Sequence, residues 1–226
     1  RNLRVLESRD GSTTTQTRVK ENGYYICVDP SKTYFSGRLH SQRTMTHKAI
    51  LKFRERFQRP LTVFDPYAGV GPSMAYLYTD SDLTECVYVN DMNPETRNLL
   101  EINMNAFDRK RNSNGTYVVK TMDARLLVSS LPETRSMADV LLVNLPHDGI
   151  KHLPDLLPLL SNGQAMLCGW AIIEKSETES FMKSLKATLS EGGREVESKS
   201  LDIVKGFSAT KAMVRYECVL FSKTNR

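Results

Sequence analysis

The sequence predicts an α/β domain: a mostly parallel sheet with helices on both faces, an antiparallel strand pair at the C-terminal end, and a small β-hairpin segment in front. Three observations predict it. From Leu61 onward, short β-rich apolar runs alternate with amphipathic runs at helical spacing, the pattern of βαβ units. The first such run, "LTVF", hands over directly to a glycine loop, "DPYAGVGPS" (Asp65 to Ser73). The last two β-rich runs have no helical stretch between them, so they pair antiparallel at one edge.

The elements follow in order. "TRVKENGYYICVD" holds two β-rich runs around Asn22-Gly23, a strong hairpin signal. "SKTYFSGRL" is a short irregular linker, and "SQRTMTHKAILKFRERF" an amphipathic helix with Met45, Ile50, Leu51, Phe53 and Phe57 as its apolar positions. "LTVFD" is then a strand and "GPSMAYLYT" a helix; "ECVYVND" is a strand and "PETRNLLEINMNAF" a helix opened by Pro94. "TYVVK" precedes a short helix, "DARLLVSSL", and "ADVLLVN" precedes a longer one, "GIKHLPDLLPLL". "GQAMLCGWAII" is a strand, and "SETESFMKSLKATLSEGG" a helix ending on a glycine pair. "EVESKSLDIV" and "AMVRYECVLF" are the closing strands.

The chain's 226 residues suit one sizeable α/β domain plus an appendage. No apolar run is long enough to cross a membrane, and no signal-peptide pattern is present. Cys27, Cys86, Cys168 and Cys218 are widely spaced, with no CxxC pair. They read as free thiols in a reducing intracellular compartment, cytoplasm or mitochondrion, and no metal site is expected. The formal charge of +5 suits an anionic partner such as nucleic acid without requiring one.

The glycine loop is not a phosphate cradle. It lacks the Gly-Lys-Ser/Thr ending of a Walker loop. The third glycine of a dinucleotide fingerprint is replaced by Met74. A shortened GxG after an acid, Asp65, fits a ligand without phosphates, such as S-adenosylmethionine, which needs only close backbone approach at Gly69 and Gly71. Asp91, 20 residues after Gly71, ends the second strand of the alternating series, where a carboxylate accepts from ribose hydroxyls. Asp123 ends the third, where it meets an adenine amino group, and Asn144 ends the fourth at the mouth of the site. Either of these aspartates alone is more often a helix cap, and it is the four polar groups at four successive strand ends, taken together, that favour the cofactor reading.

Six segments, "ENGYYICVDPSKTYFSGRL", "DPYAGVGP", "NDMNP", "MDAR", "VNLPH" and "VKGFSATK", occur in this order. Together they resemble the tRNA (guanine-37 N1)-methyltransferases and the related wybutosine-pathway aminocarboxypropyl transferases, from about Thr17 to the end of the chain. The resemblance implies a class I (Rossmann-like) S-adenosylmethionine-dependent methyltransferase domain over residues 41–226. Residues 1–40 are then a remnant of an N-terminal β region and its linker. It implies tRNA, at its anticodon region, as substrate, and leaves room for an N-terminal domain or ribonucleoprotein partners. Arg43, Asp91, Met92, Asp123, Ala124 and Asn144 fall on cofactor-contacting positions, beside the loop residues Asp65, Tyr67, Gly69 and Gly71. Tyr34, Arg38 and Asn144 fall near the target base, and Lys205 and Lys211 flank "GFSAT", where they would meet phosphates. "DRKR" (Asp108 to Arg111) reads as a solvated loop, with phosphate contact as the alternative.

One position departs from the family pattern. After "RL" the family has a small residue and then a glutamate acting as general base; here "RLHSQR" puts Gln42 there. Guanine N1 carries a proton that must leave as the methyl arrives, and an amide cannot take it. Three readings follow. The domain methylates RNA with water or another group taking the proton, His147 and Asp148 being the nearest candidates in sequence. Or it acts on an exocyclic amine, which needs no strong base. Or catalysis is lost, and the domain is a silent RNA-binding homologue. Transfer of the aminocarboxypropyl arm of the same cofactor also fits the resemblance.

Overall fold

A computed structural model describes residues 11 and 13–223; most of the polar opening stretch of the sequence lies outside the described residues. The chain begins with a hairpin, β1 (Thr17–Glu21) and β2 (Tyr24–Val28), paired antiparallel. Its turn residues Asn22 and Gly23 have φ of 51° and 78°, as a type I′ turn requires of both central positions. The linker ends in a 3-10 turn, Gly37–Leu39, that runs into α1 (His40–Arg54). Then come β3 (Leu61–Asp65), α2 (Met74–Leu77), β4 (Thr84–Asn90), α3 (Pro94–Asp108) and β5 (Thr116–Lys120). The second half holds α4 (Leu127–Ser130), β6 (Val140–Val143), α5 (Gly149–Leu156), β7 (Gln164–Glu174), α6 (Thr178–Glu191), β8 (Arg194–Gly206) and β9 (Lys211–Ser222).

Seven strands form one sheet in the order β5-β4-β3-β6-β7-β9-β8. The strands from β5 to β7 pair in parallel, while β9 runs antiparallel to both β7 and β8. The closing antiparallel pair is therefore present, with β9 threaded between β7 and the edge strand β8. Two hydrophobic cores lie on opposite faces, and the pleat sorts residues between them. Val63, Val140 and Leu142 join Ile50, Phe53, Leu100 and Met104 of α1 and α3, whereas Phe64, Leu141 and Val143 join Leu153, Leu156, Leu185 and Leu189 of α5 and α6.

The hairpin packs into the first of these cores through Ile26 and Val28. A buried amide fixes it there: Asn103 accepts from the Cys27 N–H at 2.7 Å and donates to the Cys27 and Val70 carbonyls at 2.9 and 2.8 Å. Asn103 thus joins β2, α3 and the glycine loop, with its buried polar atoms satisfied.

Helix extents differ from the periodicity in places, for local reasons. "GPSMAYLYT" yields only the four residues of α2, because Asp80 captures the Asp82 and Leu83 amides in a turn leading straight into β4. "DARLLVSSL" begins as a 3-10 turn, Ala124–Leu126, capped by Asp123. "DRKR" is solvated only in part: Asp108, Arg109 and Lys110 are exposed, whereas Arg111 turns inward. Asp108 accepts from the Tyr78 hydroxyl, and the buried Arg111 donates to the Tyr78 and Thr84 carbonyls and stacks over the Tyr78 ring. All four cysteines are free, and no helix among the described residues is long and apolar enough to cross a membrane.

Candidate functional site

The parallel strands end along one edge, and there the loops converge. Asn90, the last residue of β4, holds three strand ends together. Its amide donates to the Pro66 and Met122 carbonyls at 3.0 Å each, and its carbonyl accepts from the Met122 N–H at 3.1 Å. The next residue, Asp91, then points across the loop. One carboxylate oxygen accepts from the Gly69 N–H at 2.9 Å, the other from the Asn93 N–H at 2.9 Å. Each oxygen is anchored by one backbone donor and keeps further acceptor capacity, an arrangement that fits a pair of vicinal hydroxyls.

The glycine loop needs its glycines for different reasons. Gly69 and Gly71 have φ of 55° and 77°, a region costly for other residues. A Cβ on Gly71 would meet Leu100 Cδ1 at 2.8 Å, so Gly71 lets α3 close onto the loop. At Gly69 the nearest atom is the Tyr34 carbonyl oxygen at 3.8 Å. That places the linker over the loop, where the Asn93 amide also holds the Lys32 carbonyl at 3.0 Å. Further along, Leu39 packs on Trp170 and Met213. The linker therefore crosses the carboxyl edge from the end of β4 to β7, carrying Tyr34 and Arg38 with it, and delivers Gln42 in the first turn of α1.

Asp65 is 1% exposed, and burial, with Asp91 adding to it, pushes its carboxyl up to about 7. Asp123 behaves oppositely: the Arg125 guanidinium and backbone N–H hold it down at about 2. Asp123 is thus a helix cap and an ion-pair partner where an adenine contact is expected. Ala124 beside it is buried, and Met92, 70% exposed, stands at the end of β4.

Tyr67, in the glycine loop, bonds through its hydroxyl to His152 Nδ1 of α5 at 2.8 Å. Burial raises its phenol well above the usual range, and Asp123 adds to the effect. Tyr67, His152 and Asp123 therefore belong to one cluster. Beneath the end of β6, Gly169 leaves room for the buried Tyr216: a Cβ there would lie 2.3 Å from its hydroxyl and 2.6 Å from the Val143 carbonyl.

Arg43 is 4% exposed. It makes two bonds to the Glu21 carboxylate, at 2.6 and 2.7 Å, and one to the Ser36 carbonyl at 3.1 Å. Tyr76 joins the same carboxylate at 3.0 Å and reaches His40 Nδ1 at 2.5 Å. Arg43 thus fastens hairpin, linker and α1 together. Arg38, Gln42 and Asn144 form no side-chain hydrogen bond or ion pair with another described residue. Arg38 is exposed, and Gln42 and Asn144 are partly buried.

The "VNLPH" and "GFSAT" segments come together. His147 is exposed, and its ring meets that of Phe207 edge to face, centroids 6.4 Å apart. Lys205 is exposed in the arm before the tip; Lys211, after it, lies 3.7 Å from Glu174. Sequence reasoning did not find Asn90, His152 or Phe207 as site residues. Phe207 lay inside a recognised segment, whereas the contacts of Asn90 and His152 span 24 to 85 positions and leave no local signal.

Comparison with known proteins gives a consistent picture. The model of the TRM5/TYW2 methyltransferase domain matches residues 17–195. The chain is 32% identical over 145 residues to the tRNA (guanine(37)-N(1))-methyltransferase Trm5b of Pyrococcus abyssi, covering 63% of this chain and 37% of that protein. It is 29% identical over 164 residues to the Trm5b of Methanocaldococcus jannaschii, covering 71% and 41%. The chain thus spans about two fifths of the length of these curated relatives. Its backbone is similar to the crystal structure of M. jannaschii TYW2 in complex with AdoMet, with TM-score 0.75, 17% identity, and coverage of 93% of this chain and 88% of that one. It is also similar to wild-type Trm5b from Pyrococcus abyssi, with TM-score 0.74, 22% identity, and coverage of 96% and 62%.

Proposed function

The chain belongs to the TRM5/TYW2 methyltransferase domain family, and from that premise we propose that it uses S-adenosylmethionine to methylate tRNA at N1 of the guanine at position 37. In this reading residues 41–226 are the methyltransferase domain, and the β1–β2 hairpin with its linker is a small β segment in front of it. The observation that carries the reading is the Asp91 carboxylate, fixed between the Gly69 and Asn93 amides at the end of β4 beside a glycine loop without phosphate-binding features.

The residues present fit the cofactor. Asp91 would accept from the ribose hydroxyls, Met92 and Ala124 would contact the cofactor, and Gly69 would give close backbone approach. The cofactor supplies an electrophilic methyl group. The chain's own contribution is placement: Tyr34, Arg38 and Asn144 hold the guanine at the carboxyl edge, with Lys205 and Lys211 toward the phosphates. Asn144, whose side chain has no hydrogen-bond partner among the described residues, has its amide available for the base edge.

Gln42 shapes the chemistry. It sits where a carboxylate would accept the N1 proton, and a neutral amide only donates and accepts hydrogen bonds. The proton leaves to water or to the exposed His147, and transfer is slow. Gln42 is also the observation favouring a second reading, a homologue that keeps the cofactor pocket and binds RNA without modifying it.

Mass spectrometry of nucleosides from tRNA incubated with the protein and S-adenosylmethionine separates these. N1-methylguanosine supports the proposal. Cofactor binding with unmodified tRNA supports the silent homologue, and an aminocarboxypropyl adduct assigns the other arm of the cofactor.

A further inference from the structure

The tip of the β8–β9 hairpin presents Phe207 with 54% of its surface exposed. An aromatic ring held in water needs a reason when the segment carrying it is rigidly built, and this tip is. The Phe207 and Ser208 amides both donate to the Lys211 carbonyl, at 2.8 and 3.1 Å, and the Lys211 amide donates to Ser208 Oγ at 3.0 Å. Just past β7, Lys175 holds the tip twice: its backbone N–H donates to the Thr210 carbonyl and its ammonium to the Ala209 carbonyl, each at 2.8 Å.

The ring's neighbour is equally placed. His147, three residues after Asn144, makes a T-shaped contact with Phe207, and its loop is anchored by the Ile172 N–H donating to the Pro146 carbonyl at 2.9 Å. An edge-to-face contact supports one side of the pair and leaves the exposed face of the phenyl ring open. Exposed cations stand nearby in the chain, Lys205 before the ring and Lys211 after it. Lys211 faces Glu174 at 3.7 Å, which leaves Lys205, two residues before the ring, as the cation without an ion pair among the described residues. An exposed aromatic ring with a lysine close to it in the chain is how proteins hold unpaired nucleotides, bases stacking on the ring while positive charge meets the phosphates.

We propose that Phe207, braced by His147, is the stacking platform for an unpaired nucleotide adjoining the target base. The inference rests on the tRNA reading above and adds a residue and a role to it. The RNA must arrive with that nucleotide unstacked from its neighbours, so the substrate is a single-stranded loop and not a duplex.

The test uses the full chain and a stem-loop RNA carrying a fluorescent adenine analogue next to the target guanine. Wild-type protein should change the analogue's fluorescence on binding. Phe207→Ala should abolish that change and weaken RNA binding about 5- to 100-fold. Phe207→Trp should retain both, and S-adenosylmethionine affinity should be equal in all three proteins, showing that the fold is intact. Wild-type protein that binds the cofactor but no RNA would overturn the tRNA reading and this inference together. RNA binding and fluorescence unchanged by Phe207→Ala would overturn the inference alone and assign the exposed ring to a protein contact. So would an equal loss of affinity for a fully paired duplex.

Discussion

Asp91 and Gly69 meet through a carboxylate-to-amide hydrogen bond of 2.9 Å that ties the end of β4 to the loop after β3. The bond makes Asp91 part of the loop's framework, and in the proposed function Asp91 is also a ligand group, so its removal should act twice. Asp91→Ala should lower S-adenosylmethionine affinity by roughly 1.5–3 kcal/mol, the range for hydrogen bonds to a charged group. Asp91→Asn should lose less, because one oxygen remains to anchor Gly69. Calorimetric titration of the three proteins checks this; equal affinities would remove Asp91 from the cofactor site.

Gly71 is required by packing. Gly71→Ala forces a left-handed φ of 77° on a residue with a Cβ and drives that atom to 2.8 Å from Leu100 Cδ1. Stability in urea should fall by roughly 1–3 kcal/mol. Adding Leu100→Ala should not cost its full separate amount, since the two changes share one contact. Full additivity in the double mutant would show that the clash is relieved elsewhere.

Arg43 is held by Glu21, and a buried pair that loses one partner leaves an uncompensated charge. Arg43→Ala should destabilise the protein by about 3–5 kcal/mol, while cofactor affinity, measured well below the melting temperature, changes little. A large loss of affinity with unaltered stability would make Arg43 a direct cofactor contact.

Much of this was legible in the sequence, and the exceptions share a cause. Alternating apolar runs showed the strands because residues such as Val63 and Phe64 face the two cores in turn. The strand-end positions of Asp91, Asp123 and Asn144 followed from that. What stayed hidden is polar and long-range. Asn103 reads as an ordinary helical asparagine until β2 and the glycine loop are seen against it. Arg111 reads as part of a surface charge cluster, yet its guanidinium is buried on the Tyr78 and Thr84 carbonyls. The commitment of Arg43 to Glu21 spans 22 positions, and the ion pair at Asp123 depends on the turn that follows it. Such contacts are made by tertiary packing, which no local pattern encodes.

Asp65 gives the protein a pH signature. Burial lifts its carboxyl from 3.8 to about 7. Below about pH 4 both folded and unfolded chains carry its proton, so its contribution to stability is fully present. As pH rises toward 7 the unfolded chain ionises freely while the fold resists, and stability declines by up to about 4 kcal/mol before levelling. Asp65→Asn should flatten that decline. Chemical denaturation of both proteins across this range checks it; identical pH profiles would place an ionised Asp65 in the fold.

Gln42 decides the proposed chemistry, and single-turnover methyl transfer to tRNA by wild-type protein and Gln42→Glu, followed from about pH 6 to about pH 9, tests its role most directly because product release cannot mask the chemical step. With no carboxylate to take the guanine N1 proton, wild-type transfer should be slow and should rise with pH. Gln42→Glu should accelerate it by up to about two to four orders of magnitude. A wild-type rate already fast and flat with pH, or no transfer by either form, would contradict that role.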